Sequence, residues 1–365
     1  MMSIIDKLTK KFDSEHTMKF SELDPFSSTT FWIPTGSPTI DLNLNTLGLP
    51  TGIIEMRGPS QSGKTTLALS CLKHSIMNIE NSVNVILTTE RRDNRAYAQR
   101  MGLDVDQVLV HHIKNTEMMF NRIKQTIVNS EQIFRDEKRK DTPKFLFVLD
   151  SLGALSSSQE TRKMEENAEK DDAKEPSMAS TARSFKRGLR WLTGEIYDKE
   201  ICFIVINHTY DDVNSPIGGK KSYGGKGIEF MPSIRLDLNK AMGGTVKIGE
   251  EKVGQLTEVT AFKNDFNGIK SSFKMEIAFG YGIVLSQSDI NFGIENKILT
   301  KNGVGGASYL NGKLKWSSRK ELYDLYKNHN PLLKILTKQL IKKAHDIVLK
   351  KRNTEEELYK KSKKQ

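Results

Sequence analysis

A chain of 365 residues exceeds what one small core needs, and its 37% hydrophobic content is that of an ordinary folded globular protein, which predicts one large domain with smaller additions at either end. No run of about 18 apolar residues occurs and the opening segment has no apolar signal core, so the sequence predicts a protein that neither spans a membrane nor is exported through one. The net charge of +11 points to an anionic partner, and residues 331–365 supply most of it, with 11 Lys and Arg against 4 Asp and Glu.

From the N-terminus, residues 3–11 predict a short helix, and the Ser- and Thr-rich stretch that follows to Thr30 reads as an arm. Residues 31–52 then lead into a buried strand over 52–57. Strands and helices alternate from there: strand 83–88, helix 94–101, strand 108–111 and a long amphipathic helix over 117–134. Runs 145–149 and 201–206 are unbroken in hydrophobicity, as strands of a parallel sheet covered on both faces are, and a helix over 177–197 is expected between them. The only cysteines, Cys71 and Cys202, sit in apolar runs and read as buried thiols of a cytoplasmic protein, without a disulfide or metal site. After Ile206, shorter strands at 234–238, 255–262 and 273–279 with Gly-rich turns predict a late antiparallel extension. Beyond Gly282 the chain is expected to be helical and basic, with apolar stripes at 322–326 and 332–349. Residues 351–365, nearly without apolar content, predict a disordered basic tail.

Gly58-Pro59-Ser60-Gln61-Ser62-Gly63-Lys64-Thr65-Thr66 satisfies every position of the G-x-x-x-x-G-K-[ST] phosphate loop, with a strand predicted before it and a helix after it. Gly58 and Gly63 let backbone N–H groups turn inward around a phosphate, and the following helix aims its positive end at the same anion. Lys64 adds a mobile charge for the β and γ phosphates, and Thr65 offers a hydroxyl to Mg2+. A nucleoside triphosphate, ATP, is the expected ligand. Asp150 ends the strand over 145–149, where an α/β ATPase holds Mg2+; an Asp there also serves to cap a turn. Glu90 follows strand 83–88, in position to polarise a water for attack on the γ phosphate or simply to favour a helix N-terminus.

The ordered set Ile33-Pro-Thr-Gly-Ser37, Leu47-Gly-Leu-Pro-Thr-Gly52, the phosphate loop, Thr89-Glu90, Tyr97-Ala98, Val148-Leu-Asp150-Ser-Leu-Gly153, Asn207-His208, Gly224-Gly225, Phe230 and Arg235-Leu-Asp237 resembles the RecA recombinase core over about residues 31–285. Asn207-His208-Thr-Tyr210 and the stretch from Asp150 to Thr161 are most similar to the phage UvsX branch. The resemblance implies an α/β fold, with a RecA-like P-loop ATPase core on a mostly parallel sheet. It divides the chain into an arm for subunit contact (1–30), the core (31–285), an α-rich C-terminal region (286–350) and the tail (351–365). It implies Glu90 as general base, Tyr97 as the aromatic that stacks on adenine, and Asp150 as the magnesium-linked acid. His208 is implied as γ-phosphate sensor, and Lys263 as a basic residue that reaches a neighbour's nucleotide. Phe230 is implied at the subunit interface. The family's second basic position is Asp265 here. By residue type alone, Tyr97 also suits a core helix and His208 a structural strand end.

Two loops would face DNA in such a filament. The first, 159–177, holds 4 Lys and Arg against 7 Asp and Glu, a poor balance for phosphate. The second, 211–229, offers Lys220, Lys221 and Lys226 with Tyr223 for stacking beside Gly224 and Gly225, while Arg183 and Arg187 extend a basic track or form a solvated face. The leading reading is a DNA-dependent ATPase that forms a homo-oligomeric helical filament on single-stranded DNA and exchanges strands with double-stranded DNA. A single-strand binding protein and a loading mediator are the expected further partners, with no membrane. A hexameric helicase and a non-catalytic recombinase paralogue are the alternatives.

Overall fold

The computed structural model describes residues 4–12, 19, 29, 31–90, 94–162, 178–211, 220–266, 270–303 and 305–362. Two compact units emerge, Met1–Thr30 and Phe31–Gln365. In the first, α1 (Ile4–Thr9) is the described helix, and its Thr9 hydroxyl donates back to the Ile5 carbonyl.

The second unit opens with β1 (Trp32–Ile33), α2 (Pro38–Leu44) and β2 (Leu49–Pro50). Ser37 caps α2 by accepting from the Ile40 amide, and Pro38 occupies the first turn, where its missing N–H is harmless. There follow β3 (Gly52–Gly58), α3 (Lys64–Asn78), β4 (Ser82–Thr88), α4 (Arg95–Arg100), β5 (Val108–His112), α5 (Thr116–Asp136), β6 (Lys144–Asp150), α6 (Met178–Asp198), β7 (Ile201–Asp211), β8 (Lys220–Ser222) and α7 (Gly225–Phe230). The chain continues through β9 (Ile234–Ile248), β10 (Glu251–Asn264), β11 (Ser271–Ala278), β12 (Gly282–Val284), α8 (Gln287–Glu295), β13 (Thr300–Lys301), β14 (Ala307–Tyr309), β15 (Leu314–Trp316), α9 (Arg319–Lys327) and α10 (Pro331–Ser362).

The main sheet runs β12-β11-β10-β9-β3-β7-β6-β4-β5. From β9 to β5 every pair is parallel, and β10, β11 and β12 continue the sheet antiparallel. The apolar runs of β3, β6 and β7 are buried on both faces. On one face Met56, Val148 and Ile204 pack with Leu67 and Leu72 of α3; on the other Phe147 and Phe203 pack with Ile123 of α5 and Phe185 and Leu189 of α6. Each such large side chain contributes about 1.5–3 kcal/mol on burial. A third cluster, around fully buried Trp316, Leu336 and Leu340, fills the C-terminal region. This region is tied to α2 by His345 Nε2, 3.0 Å from Asp41 Oδ2, and by Asp289, which accepts from Thr39 and Ser37.

Four expectations need correction. The late strands are longer than their apolar runs, because β9 and β10 form one extended hairpin in which pairing continues past the hydrophobic stretch. The segment beyond Gly282 is not wholly helical: β13, β14 and β15 form a small antiparallel sheet whose Ala307, Leu314 and Trp316 face the third cluster. The tail is not disordered from Lys351, since α10 runs to Ser362. Glu356 and Glu357 each precede a lysine by four residues, the spacing and order that favour helix despite few apolar residues. Finally, β7 runs on to Asp211, past the apolar run at 201–206, because its last residues pair with β8.

Candidate nucleotide-binding site

The register of the parallel strands brings the site together. Gly58 lies opposite His208 across β3 and β7, and Thr88 lies opposite Asp150 across β4 and β6. The carboxyl ends of the central strands therefore meet around the loop after β3. Gly58 adopts φ +151°, and a Cβ there would fall 2.0 Å from the Leu238 carbonyl oxygen of β9, so only glycine lets the strand pass into the loop. Two side chains of β10 hold the loop from beneath. Gln255 Nε2 donates to Gln61 O at 3.0 Å and Thr257 Oγ1 donates to Ser62 O at 3.0 Å.

A cavity of about 530 Å3 opens over the loop, lined by Ser60 to Thr66 and walled by Glu90, Tyr97, Asp150 and His208. Lys64 turns back and donates from Nζ to the carbonyls of Gly58 (2.9 Å) and Pro59 (2.7 Å) at the start of the loop. Burial lowers its pKa to about 8 against the opposing charge of Asp150. Thr65 Oγ1 donates to Asp150 Oδ2 at 3.0 Å. Burial raises the Asp150 pKa, the Thr65 hydrogen bond opposes it, and the Glu90 charge raises it further. The His208 pKa is lowered by burial and by the Lys64 charge, with the Glu90 charge opposing them. Glu90 is exposed, its amide held by Thr88 Oγ1 at 3.0 Å. Tyr97 shares a 2.9 Å hydrogen bond with the Thr66 hydroxyl, which fixes its ring at one wall. Phe279 and Gly280 line the same cavity.

These residues fit a triphosphate with a hard cation. Ser62 Oγ is buried without a partner inside the loop, and Lys64 spends its donors on main-chain oxygens of the cradle. One hydroxyl and one carboxylate suit Mg2+, which completes its shell with water and phosphate oxygens. Among the described residues no cluster of three or more His, Cys, Asp or Glu offers a site for another metal, and both cysteines are free.

A buried chain of polar contacts, missed in the sequence, leads away from the cradle. Glu55 of β3 is fully buried; its carboxylate accepts from Asn207 Nδ2 (2.9 Å) and from Arg235 Nε (2.6 Å). Asn207 Nδ2 also donates to the Tyr223 carbonyl at 2.8 Å. A charge set between Ile54 and Met56 in a buried strand was the available signal at Glu55. The contacts of Gln255 and Thr257 had no comparable signal.

Past His208, β7 continues to Asp211, where the second loop leaves it and returns as β8, with Thr209 paired to Ser222 and Asp211 to Lys220. Gly224 begins α7 and Gly225 is its first residue. Residues 163–177 and 212–219 lie outside the described residues, as do the side chains of Lys220, Lys221 and Lys226. At the base of the first loop, Glu117 accepts from Ser184 Oγ (2.7 Å) and from the amide and hydroxyl of Ser158 (both 3.0 Å), joining its two ends. Burial alone would raise the Glu117 pKa, but these hydrogen bonds outweigh it and hold the value near about 2. Arg183 and Arg187 lie on the exposed face of α6, opposite buried Phe185 and Leu189. Phe230 is 70% exposed, and its carbonyl accepts from Lys263 Nζ at 2.9 Å. Lys263 also pairs with Asp265 at 3.5 Å, so in this chain it bonds to its own neighbours.

No helix among the described residues is long and apolar enough to cross a membrane. The RecA N-terminal domain model matches residues 1–284. The chain is 31% identical to Protein RecA of Porphyromonas gingivalis over 84% of each chain, and 32% identical to that of Cutibacterium acnes over 74% of this chain and 72% of the relative. Protein RecA of Clostridium novyi is 29% identical over 97% of this chain and 93% of its own length. With the phosphate loop, Asp150 and His208 gathered at the strand ends of a mostly parallel sheet, and with matches of this extent, the chain belongs to the RecA family, DNA-dependent ATPases that act as recombinases.

Proposed function

We propose that this chain hydrolyses ATP within a filament on single-stranded DNA and drives homologous pairing and strand exchange with a duplex, as a recombinase of the phage UvsX type. The observation that carries the coupling is β7: one strand carries Asn207 and His208 beside the cradle and continues through Thr209 to Asp211 into the second loop. The loop from Gly58 to Thr66 binds the phosphates, with Lys64 on the β and γ oxygens and Tyr97 against the base. Thr65 and Asp150 would hold Mg2+, which would supply positive charge to the phosphate oxygens. Glu90 accepts the proton of an attacking water and orients it in line with the γ phosphorus, and neutral His208 hydrogen-bonds the terminal phosphate.

Displacement of His208 moves β7, and with it the base of the second loop. There Lys220, Lys221 and Lys226 neutralise DNA phosphates and Tyr223 stacks on bases, with Arg183 and Arg187 extending the track. Phe230 and Lys263 lie at the contact between protomers, and Lys263 must exchange its bonds to Phe230 and Asp265 for a neighbour's phosphate. The N-terminal arm docks on the next subunit, and basic α10 attracts duplex DNA. A single-strand binding protein and a loading mediator act with it in the cytoplasm of a bacterial or phage-infected cell. Electron microscopy with ATP and single-stranded DNA tests this reading: helical filaments are expected, and closed rings on DNA would replace it with a helicase.

A further inference from the structure

On the nucleotide reading above, we infer that Lys240 of β9 is a second cation for the terminal phosphate, supplied by the same chain that holds the triphosphate. β9 borders the phosphate loop. The Leu238 carbonyl is the atom that a Cβ on Gly58 would strike. Two residues on, Lys240 pairs with Thr257 of β10, and cross-strand partners present their side chains on one face of a sheet. The Thr257 hydroxyl donates to Ser62 O, so the face shared by Thr257 and Lys240 is the one turned to the loop. Lys240 accordingly lines the cavity together with Ser60, Gln61 and Gln255.

The backbone is shaped to hold it there. After Lys240 the register breaks: four residues, Ala241 to Gly244, stand opposite the single Leu256 before pairing resumes at Thr245 and Gln255. Bulges of this kind bend a strand and re-aim its side chains, and they recur beside active sites. The bulge closes tightly, because a Cβ on Gly244 would lie 2.6 Å from the Ala241 carbonyl oxygen and 2.7 Å from that of Leu256. Its apex, Met242, is fully solvent-exposed, so no apolar burial accounts for the kink.

Charge completes the case. Lys263 is tied to the Phe230 carbonyl and Asp265, and Lys64 is bonded to the cradle itself. The Lys240 side chain makes no hydrogen bond or ion pair among the described residues, and it lines the cavity with Lys64, Glu90 and His208, the groups assigned above to the terminal phosphate and its attacking water. An unpaired ammonium there contributes only when a γ phosphate is present.

The test is equilibrium binding of ATPγS and of ADP, each with Mg2+, to the full chain and to Lys240→Met, Lys240→Arg and Lys64→Ala. A charge-assisted hydrogen bond lost in Lys240→Met weakens ATPγS by about 10- to 100-fold and ADP by less than about twofold. Lys240→Arg restores most of the ATPγS affinity. Lys64→Ala must weaken both nucleotides; if it weakens neither, the nucleotide site itself is misassigned, whatever Lys240 does. Equal loss of ATPγS and ADP in Lys240→Met, no loss of either, or loss confined to DNA affinity would overturn the assignment of Lys240.

Discussion

Glu55→Gln removes one charge from beneath the phosphate loop while keeping the shape of the side chain and an acceptor for Asn207. Glu55 is fully buried and Arg235 is 8% exposed, so the substitution leaves a guanidinium in the interior without its counter-ion. Taking one partner from a buried pair costs about 3–5 kcal/mol. The Phe262 ring remains 4.6 Å from the Arg235 guanidinium, and the Glu229 carbonyl still accepts from Nη1, which favours the lower end, about 3 kcal/mol. Against a domain stability of roughly 5–15 kcal/mol the protein still folds, with a melting temperature lowered by about 4 °C. Thermal and urea unfolding, followed by tryptophan fluorescence at low protein concentration, measure it. The partner variant Glu55→Leu/Arg235→Met has no buried charge and must lose far less than the sum of its single changes. A Glu55→Gln loss below about 1 kcal/mol, or strict additivity in the double variant, would refute the view that a buried ion pair fixes β3 to β9.

Lys64→Ala should lose nucleotide affinity and hydrolysis together, whereas Glu90→Gln should bind ATP normally and lose turnover by about 100-fold or more, read from Kd beside kcat; hydrolysis at the parent rate would remove Glu90 as the base. Lys64 has its pKa lowered to about 8 in the free protein, and phosphate stabilises its charged form. Affinity is therefore flat below pH 8 and falls above it, by up to about tenfold per pH unit until the pKa of the complex is passed; a flat profile from pH 7 to 10 would contradict the burial of that ammonium. Joint replacement of Lys220, Lys221 and Lys226 by Gln should weaken single-strand binding and reduce the slope of log K against log salt by about 2 if all three meet phosphate, and an unchanged slope would detach the second loop from the DNA backbone.

The phosphate loop was legible because its chemistry is local. Nine consecutive residues, a strand before them and a helix after them carry the whole requirement, and no distant residue can substitute for Gly58, Gly63 or Lys64. The central strands β3, β6 and β7 were legible for a related reason, since strands covered on both faces read as near-continuous apolar runs, even where Glu55 and Arg57 interrupt β3. Asp150 could be singled out because it ends such a strand, and His208 because it follows the apolar run of another. Their meeting with Gly58 follows from the parallel register. Other features left weaker marks. The helix from Lys351 to Ser362 is polar and has only its Glu-to-Lys spacing to announce it, and β13 to β15 are two or three residues long, below any periodicity.

The sequence by itself determined that the chain binds phosphate on a loop between strand and helix in an α/β core, because backbone geometry and hydrophobic period are properties of neighbouring residues. Only the tertiary structure decided that Glu55 pairs with Arg235 and Asn207, that Thr257 supports the loop, that a bulge turns Lys240 toward it and that Lys263 is tied to Phe230 and Asp265. Most of these partners are more than 150 positions apart, as Glu55 and Arg235 are at 180, and a side chain's partner at that range is set by the order and register of the strands, which no local pattern encodes.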